Sequence, residues 1–216
     1  MKKQISKRIA LLSSLLLFSS IAGRAESASI VFKVGFLKPK DVGGTGVIFG
    51  GTFGQAIDDH LTLGVSVDYF NKTFSDEKEV ERRPTGTGSY SKVLQTYDFH
   101  VRYLPVMASA LITIPMVGMI KPYGTANLGY GLANVSYDFY ALPGYDYQVD
   151  TSDKGWYSGF NWRISGGAKL KLGFRSAIIG ELFYNGGGLT RTEGNIKWKK
   201  DMSGIGGTLG LSITTG

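Results

Sequence analysis

The 216-residue chain contains no cysteine, and it has only two histidines and six prolines. Without cysteine there is no disulfide staple, no thiol nucleophile and no cysteine-based metal site. The two lone histidines and scattered carboxylates lack the spacing of metal ligands, so we predict no metal and no other cofactor. After residue 25, no stretch approaches 18 uninterrupted apolar residues, which excludes a membrane-spanning helix there.

The amino terminus has the pattern of a secretory signal peptide. Basic residues at positions 2, 3, 7 and 8 precede an apolar run over residues 9–21, and small residues surround Arg24. We predict a signal peptide over residues 1–25 and a mature domain over residues 26–216. The first 25 residues hold five of the 24 basic residues and no acid, which leaves 19 basic against 17 acidic. A mature charge of +2 does not predict a nucleic-acid partner.

Residues 160–172 alternate strictly between two kinds of side chain. Even positions are apolar or small, whereas odd positions are polar or glycine and include three basic residues. A period of two predicts a β-strand with one apolar and one polar face. The stretch is long enough to cross a bilayer, which takes about 9–11 tilted residues.

Similar alternation predicts eight strands, at residues 29–37, 45–55, 61–70, 91–114, 122–137, 160–172, 177–185 and 204–213. The fourth is predicted to carry a bulge at Pro105. Long polar segments at residues 71–90, 138–155 and 186–201 are predicted to be loops, and the intervening connections are short. This rhythm indicates an all-β fold, an eight-stranded antiparallel up-and-down transmembrane β-barrel with its long loops at one end.

The polar face carries charges that we predict to line the barrel interior as a network. Its candidate members are Asp68, Asp98, His100, Arg102, Arg163, Lys169 and Glu181. Small, oppositely charged residues suit the narrow bore of eight strands, and aromatics near strand ends suit interfacial girdles. We therefore expect the apolar face to point outward into lipid. A soluble, lipocalin-like barrel with the apolar face inside is the alternative.

Two sequence segments resemble a known group of proteins. KVGFLKPKD at the end of the first strand and KPYGTANLGYG in the fifth resemble small outer-membrane barrels of the OmpW-like and OmpA/OmpX type. The resemblance implies the eight-stranded membrane barrel, an outer-membrane location in a Gram-negative-type bacterium and, from the OmpW-like members, conduction of small hydrophobic molecules. The chain departs from the group's usual terminal aromatic residue by ending Thr215-Gly216.

The function expected from these features is non-enzymatic. His100 has no serine beside it on the polar face, as a hydrolytic His/Ser pair would need, so no catalytic residue is predicted. The first expectation is a structural or surface barrel whose external loops are contact sites. The alternative is a narrow channel or conduit for small molecules, hydrophobic ones included, with Leu94 and Leu104 lining an upper pocket. Expected partners are outer-membrane lipid, lipopolysaccharide, the barrel-assembly machinery and an external protein or small hydrophobic ligand.

Overall fold

The computed structural model describes residues 27–85, 89–140 and 152–215. They form one antiparallel sheet of nine strands: β1 Ala28–Pro39, β2 Gly46–Ala56, β3 Leu61–Thr85, β4 Ser89–Thr113, β5 Ile120–Phe139, β6 Gly155–Lys171, β7 Ser176–Glu193, β8 Ile196–Asp201 and β9 Gly204–Thr215. The predicted signal peptide and most of the predicted loop 138–155 lie outside the described residues. Within the described ranges, no helix is long and apolar enough to cross a membrane.

The sheet closes into a barrel of eight strand positions. β1 pairs with β9 as well as with β2, and β6 pairs with β7 as well as with β5. β8 pairs only with the outer end of β7, and Met202 and Ser203 separate it from β9. β8 and β9 therefore share one position, which confirms the eight-stranded fold. Closure gives each of the eight strand positions two neighbours within the barrel wall, so the backbone groups there need no water.

The two ends of the barrel differ. The chain's first and last described residues and the short turns at 57–60, 114–119 and 172–175 lie at one end, which we call the short-turn end. At the other, two of the three predicted loops are β-hairpin arms instead. The β3–β4 ladder continues to Thr85↔Ser89 and the β7–β8 ladder to Glu193↔Ile196. A tilted packing of Phe74 on Phe99, with ring centroids 4.8 Å apart, anchors the first arm.

The outer wall is apolar, as predicted. Phe32, Leu182 and Leu209 leave 60%, 69% and 67% of their surfaces exposed, although each lies on a regular strand. An exposed apolar band of this extent on a closed barrel fits lipid, not water. The soluble, lipocalin-like alternative is therefore wrong, because it requires these side chains to point inward.

β4 differs from its prediction. No bulge interrupts it at Pro105, since the β4–β5 ladder keeps one register from Tyr97↔Phe139 to Thr113↔Tyr123. Instead the apolar side of the strand changes: Phe99, Val101 and Tyr103 point into the barrel, whereas Leu104 and Val106 point outward. The inside of the barrel near the arms is apolar. In an alternating strand there the apolar residues point inward, whereas in the part that faces lipid they point outward.

Close approach of strands makes some glycines irreplaceable, and Gly35 is the clearest. A Cβ added there would lie 1.9 Å from the carbonyl oxygen of Gly207, a backbone atom that cannot rotate away. We expect Gly35→Ala to destabilise the barrel by about 1–3 kcal/mol, the usual cost of overpacking. Gly166→Ala is the matched control, because an added Cβ there meets nothing within 4 Å. Urea unfolding of both refolded variants in micelles checks this; equal stability would contradict it.

Candidate functional site in the barrel interior

Four charged side chains from four strands meet in the middle of the bore. Lys33 on β1, Asp68 on β3, Arg163 on β6 and Glu181 on β7 each occupy an inward position of an alternating strand. Arg163 Nη1 lies 2.5 Å from Asp68 Oδ2, and Lys33 Nζ lies 3.6 Å from Asp68 Oδ1 and 3.5 Å from Glu181 Oε1. Two positive and two negative groups make this mid-bore network neutral.

Neutral side chains add hydrogen bonds to the network, although Asp68 Oδ1 is buried with no hydrogen-bond partner among the described residues and has only the Lys33 ammonium at 3.6 Å. Glu181 accepts hydrogen bonds from Thr208 at 3.0 Å, Ser165 at 3.1 Å and Tyr123 at 3.4 Å. Arg163 donates to the Asn185 side-chain oxygen at 3.4 Å, and its guanidinium carbon lies 4.3 Å from the centre of the Phe183 ring. Buried charges are tolerated only with partners of this kind.

The bore is blocked above the network. Tyr103 donates a 2.5 Å hydrogen bond to Asn161, which in turn exchanges hydrogen bonds with Asn185. Towards the arms follows one cluster of buried apolar residues, which we call the apolar plug: Leu37, Val42, Ile48, Phe70, Phe99, Val101, Tyr103, Ala133, Val135, Tyr157, Phe183, Leu189 and Met202. These side chains come from β1 to β7 and from the connections that hold Val42 and Met202, and they pack as one cluster across the bore.

Free space inside the described barrel is small near the network. A cavity of about 30 Å³ lies between Lys33, Tyr123 and Glu181, enough for about one water molecule. A larger cavity, about 280 Å³, opens at the short-turn end. The apolar plug lies between both cavities and the arms, and none of its residues lines either cavity.

The structure brings together some of the predicted interior charges and separates others. Asp68, Arg163 and Glu181 lie in the mid-bore network, whereas Lys169 lies nearer the short-turn end and lines both cavities.

Asp98, His100 and Arg102 are not in the bore, so their predicted interior placement is wrong. They occupy the outward face of β4, where Asp98 accepts hydrogen bonds from Ser75 and Tyr140. The cause is the change of the apolar side along β4. Leu94 and Leu104 are also outward, 43% and 37% exposed, so they line no upper pocket.

His100 nevertheless joins a hydroxyl and a carboxylate. Its Nδ1 lies 2.9 Å from Thr73 Oγ1 and its Nε2 lies 3.1 Å from Asp138 Oδ2, an order of groups used in nucleophilic catalysis. The group stands on the open outer wall, with 78% of the Asp138 side chain exposed. Catalysis of this kind depends on preorganised donors in a water-excluded site. Hydrogen bonding between adjacent strands accounts for this arrangement.

The network predicted from the sequence left out four of the residues that complete the interior: Lys33, Asn161, Asn185 and Tyr123. Asn161 is one of the polar odd-numbered positions of residues 160–172. Lys33 is on the polar face of the first strand, opposite to its apolar face. Strand parity therefore marks both as inward. It does not give their height in the bore, which depends on the register between strands.

Solved structures, but no sequence families, are similar to this chain. No family model matches the chain, and no curated protein matches it. The N-terminal β-barrel domain of Pseudomonas aeruginosa OprF is similar, at 14% identity and a TM-score of 0.47, over 88% of this chain and 98% of that one. Neisserial surface protein A is similar at 14% identity and a TM-score of 0.49, over 87% of this chain and 96% of that one.

A third structure of this kind is a major outer membrane protein from Thermus thermophilus. It is 12% identical with a TM-score of 0.48, over 87% of this chain and 99% of that one. Identities this low concern the fold alone. The closed barrel of eight strand positions seen in the structure itself agrees with the architecture that the resemblance to small OmpW-like and OmpA/OmpX-type barrels implies.

Proposed function

We propose that this chain is a non-enzymatic, integral outer-membrane barrel of a Gram-negative-type bacterium with a structural or surface role. The observation that carries the proposal is the closed bore. The mid-bore network and the apolar plug fill the interior, while the hairpin arms extend past the apolar wall. A barrel whose bore is blocked by packed side chains and whose strands extend at one end acts through its outer wall and its arms.

The two ends suit the two sides of an outer membrane. β3 and β4 are 25 residues each, against about 9–11 needed to cross a bilayer, so the arms stand well clear of the lipid. We assign the arms to the cell surface, where an external partner contacts them, and the short-turn end to the periplasm. Lipid and lipopolysaccharide then surround the wall, and the barrel-assembly machinery inserts it.

The closed bore argues against the conduit alternative. A path for small hydrophobic molecules needs an apolar opening near the arms, yet the inward apolar residues there pack against one another in the plug. Leu94 and Leu104, which would line such an opening, face outward. Eight strands also leave an interior only wide enough for side chains.

We expect the full-length chain, expressed with its leader, to fractionate with the outer membrane and to migrate differently on a denaturing gel before and after boiling. A closed barrel that resists detergent explains the shift. In planar bilayers the purified barrel should give no stable stepwise conductance, since side chains fill its cross-section. A known open porin reconstituted in parallel shows that insertion is detectable.

Two results would contradict the proposal. Recovery of the protein in the soluble periplasmic fraction, without a mobility shift, would show that it is not a membrane barrel. Discrete conductance steps from the wild-type barrel, lost on unfolding, would show an open path and restore the conduit.

A further inference from the structure

The cavity at the short-turn end is lined by an unusual number of basic side chains. Lys121, Lys169, Lys171 and Arg175 all border its volume of about 280 Å³. Lys121 on β5 lies directly opposite Lys169 on β6, and Lys171 takes the next inward position along β6. We call these four residues the basic mouth. Like charges directly opposite each other destabilise a strand pair, so the arrangement costs the fold stability.

In the described part of the chain, no carboxylate pairs directly with this charge. Asp68 and Glu181, the carboxylates inside the bore, already pair with Arg163 and Lys33. Within the described ranges, no carboxylate lies at ion-pair distance from any residue of the basic mouth. The Lys169 ammonium has instead the face of the Tyr123 ring, 5.5 Å from its centroid.

Two acids also border the cavity, Asp58 and Asp59. Asp58 Oδ1 accepts 2.7 Å hydrogen bonds from the backbone N–H groups of His60 and Leu61, which lower the pKa of Asp58 and commit that oxygen to the turn. Four basic and two acidic residues leave a net charge of +2 around the cavity.

We propose that the basic mouth binds a small multivalent oxyanion, of the phosphate or carboxylate class. A partly buried ammonium without a counter-ion is costly, and a bound anion relieves that cost together with the repulsion between Lys121 and Lys169. The volume, at the lower end of the roughly 300–1,000 Å³ of small-molecule pockets, suits a compact ligand. A soluble phosphate compound and a phospholipid headgroup present the same chemistry.

Calorimetric titration of the full-length protein with pyrophosphate, in nonionic detergent at low salt, tests the proposal. The double variant Lys121→Gln/Lys169→Gln should bind at least about tenfold more weakly, since it removes two charge-assisted contacts. Lys38→Gln/Lys199→Gln is the control. It removes the same charge from exposed residues towards the arm end and should leave binding unchanged. The gel mobility shift on boiling verifies that each variant is folded.

Repeating the titration in nanodiscs separates the two sources. Binding that persists in phosphatidylcholine and is lost in phosphatidylglycerol assigns the site to lipid headgroups; equal binding in both lipids assigns it to a soluble oxyanion. Absence of wild-type binding at low salt would overturn the proposal. So would equal weakening by the two double variants, because that would reflect net charge and not a site.

Discussion

Asp68→Ala is expected to destabilise the barrel by about 3–5 kcal/mol, the cost of breaking a buried ion pair by removing one partner. Asp68 and Arg163 each leave 1% of the side chain exposed, and their charged atoms are 2.5 Å apart. Without the carboxylate, Lys33 keeps Glu181 as a partner but Arg163 keeps only neutral ones. Urea unfolding in phospholipid vesicles, followed by tryptophan fluorescence, measures the loss.

Two further variants show whether the pair itself is responsible. Asp68→Ala/Arg163→Met removes both charges and should recover most of the lost stability, because apolar replacement of a buried pair is often neutral. Asp98→Ala removes a carboxylate from the outer wall and should leave the unfolding midpoint unchanged. If the double variant is no more stable than Asp68→Ala, the loss comes from packing and not from the unpaired guanidinium.

Residues 160–172 show where the sequence predicts the structure well. Their apolar positions face outward and their polar positions face the bore, with Asn161, Arg163 and Ser165 all buried. This strand lies at lipid depth for most of its length. Each face of the strand therefore keeps the same surroundings along its length, so the alternation predicts correctly which side chains point outward and which point into the bore. The wall residues of the first, third and last strands follow for the same reason.

β4 shows where that reasoning fails. The strand runs from an arm, through the apolar plug, into the membrane, so the side that must be apolar changes between Tyr103 and Leu104. In the sequence this change looks like a bulge, and Pro105 strengthens that impression. A bulge and a change of apolar side can be distinguished only if the position of the bilayer along the strand is known. The periodicity of the sequence does not give that position.

The hairpin arms were not predicted from the sequence, for a different reason. The charged segment 71–90 lacks the apolar alternation that marks a strand, and its conformation depends on the partner to which it is paired. The mid-bore network is also non-local. The alternation along each strand predicts that Lys33, Asp68, Arg163 and Glu181 point inward. However, residues up to 148 positions apart come into contact only because barrel closure fixes the position of each one along the barrel axis. Register and strand tilt decide that height.

The direction of the apolar face has the sharpest consequence for mutation. Leu209 lies near the middle of β9, paired with Val34 on one side and Gly180 on the other, and points outward. Leu209→Arg should destabilise the barrel by about 2–4 kcal/mol in vesicles, the cost of a basic side chain at the bilayer midplane. In a water-soluble barrel of the same fold, an outward arginine would leave stability unchanged or improve solubility.

The control is Val117→Arg, in the short turn between β4 and β5, where the side chain is fully exposed beyond the strands. It adds the same charge without placing it in lipid, so the free energy of unfolding should stay at the wild-type value. The difference in unfolding free energy between the two variants measures the effect of placing the charge in lipid, because both variants add the same charge. A Leu209→Arg barrel that unfolds at the same urea concentration as the Val117→Arg barrel would mean that β9 is not in contact with lipid at that height. The apolar wall would then need a protein partner, not a bilayer, to cover it.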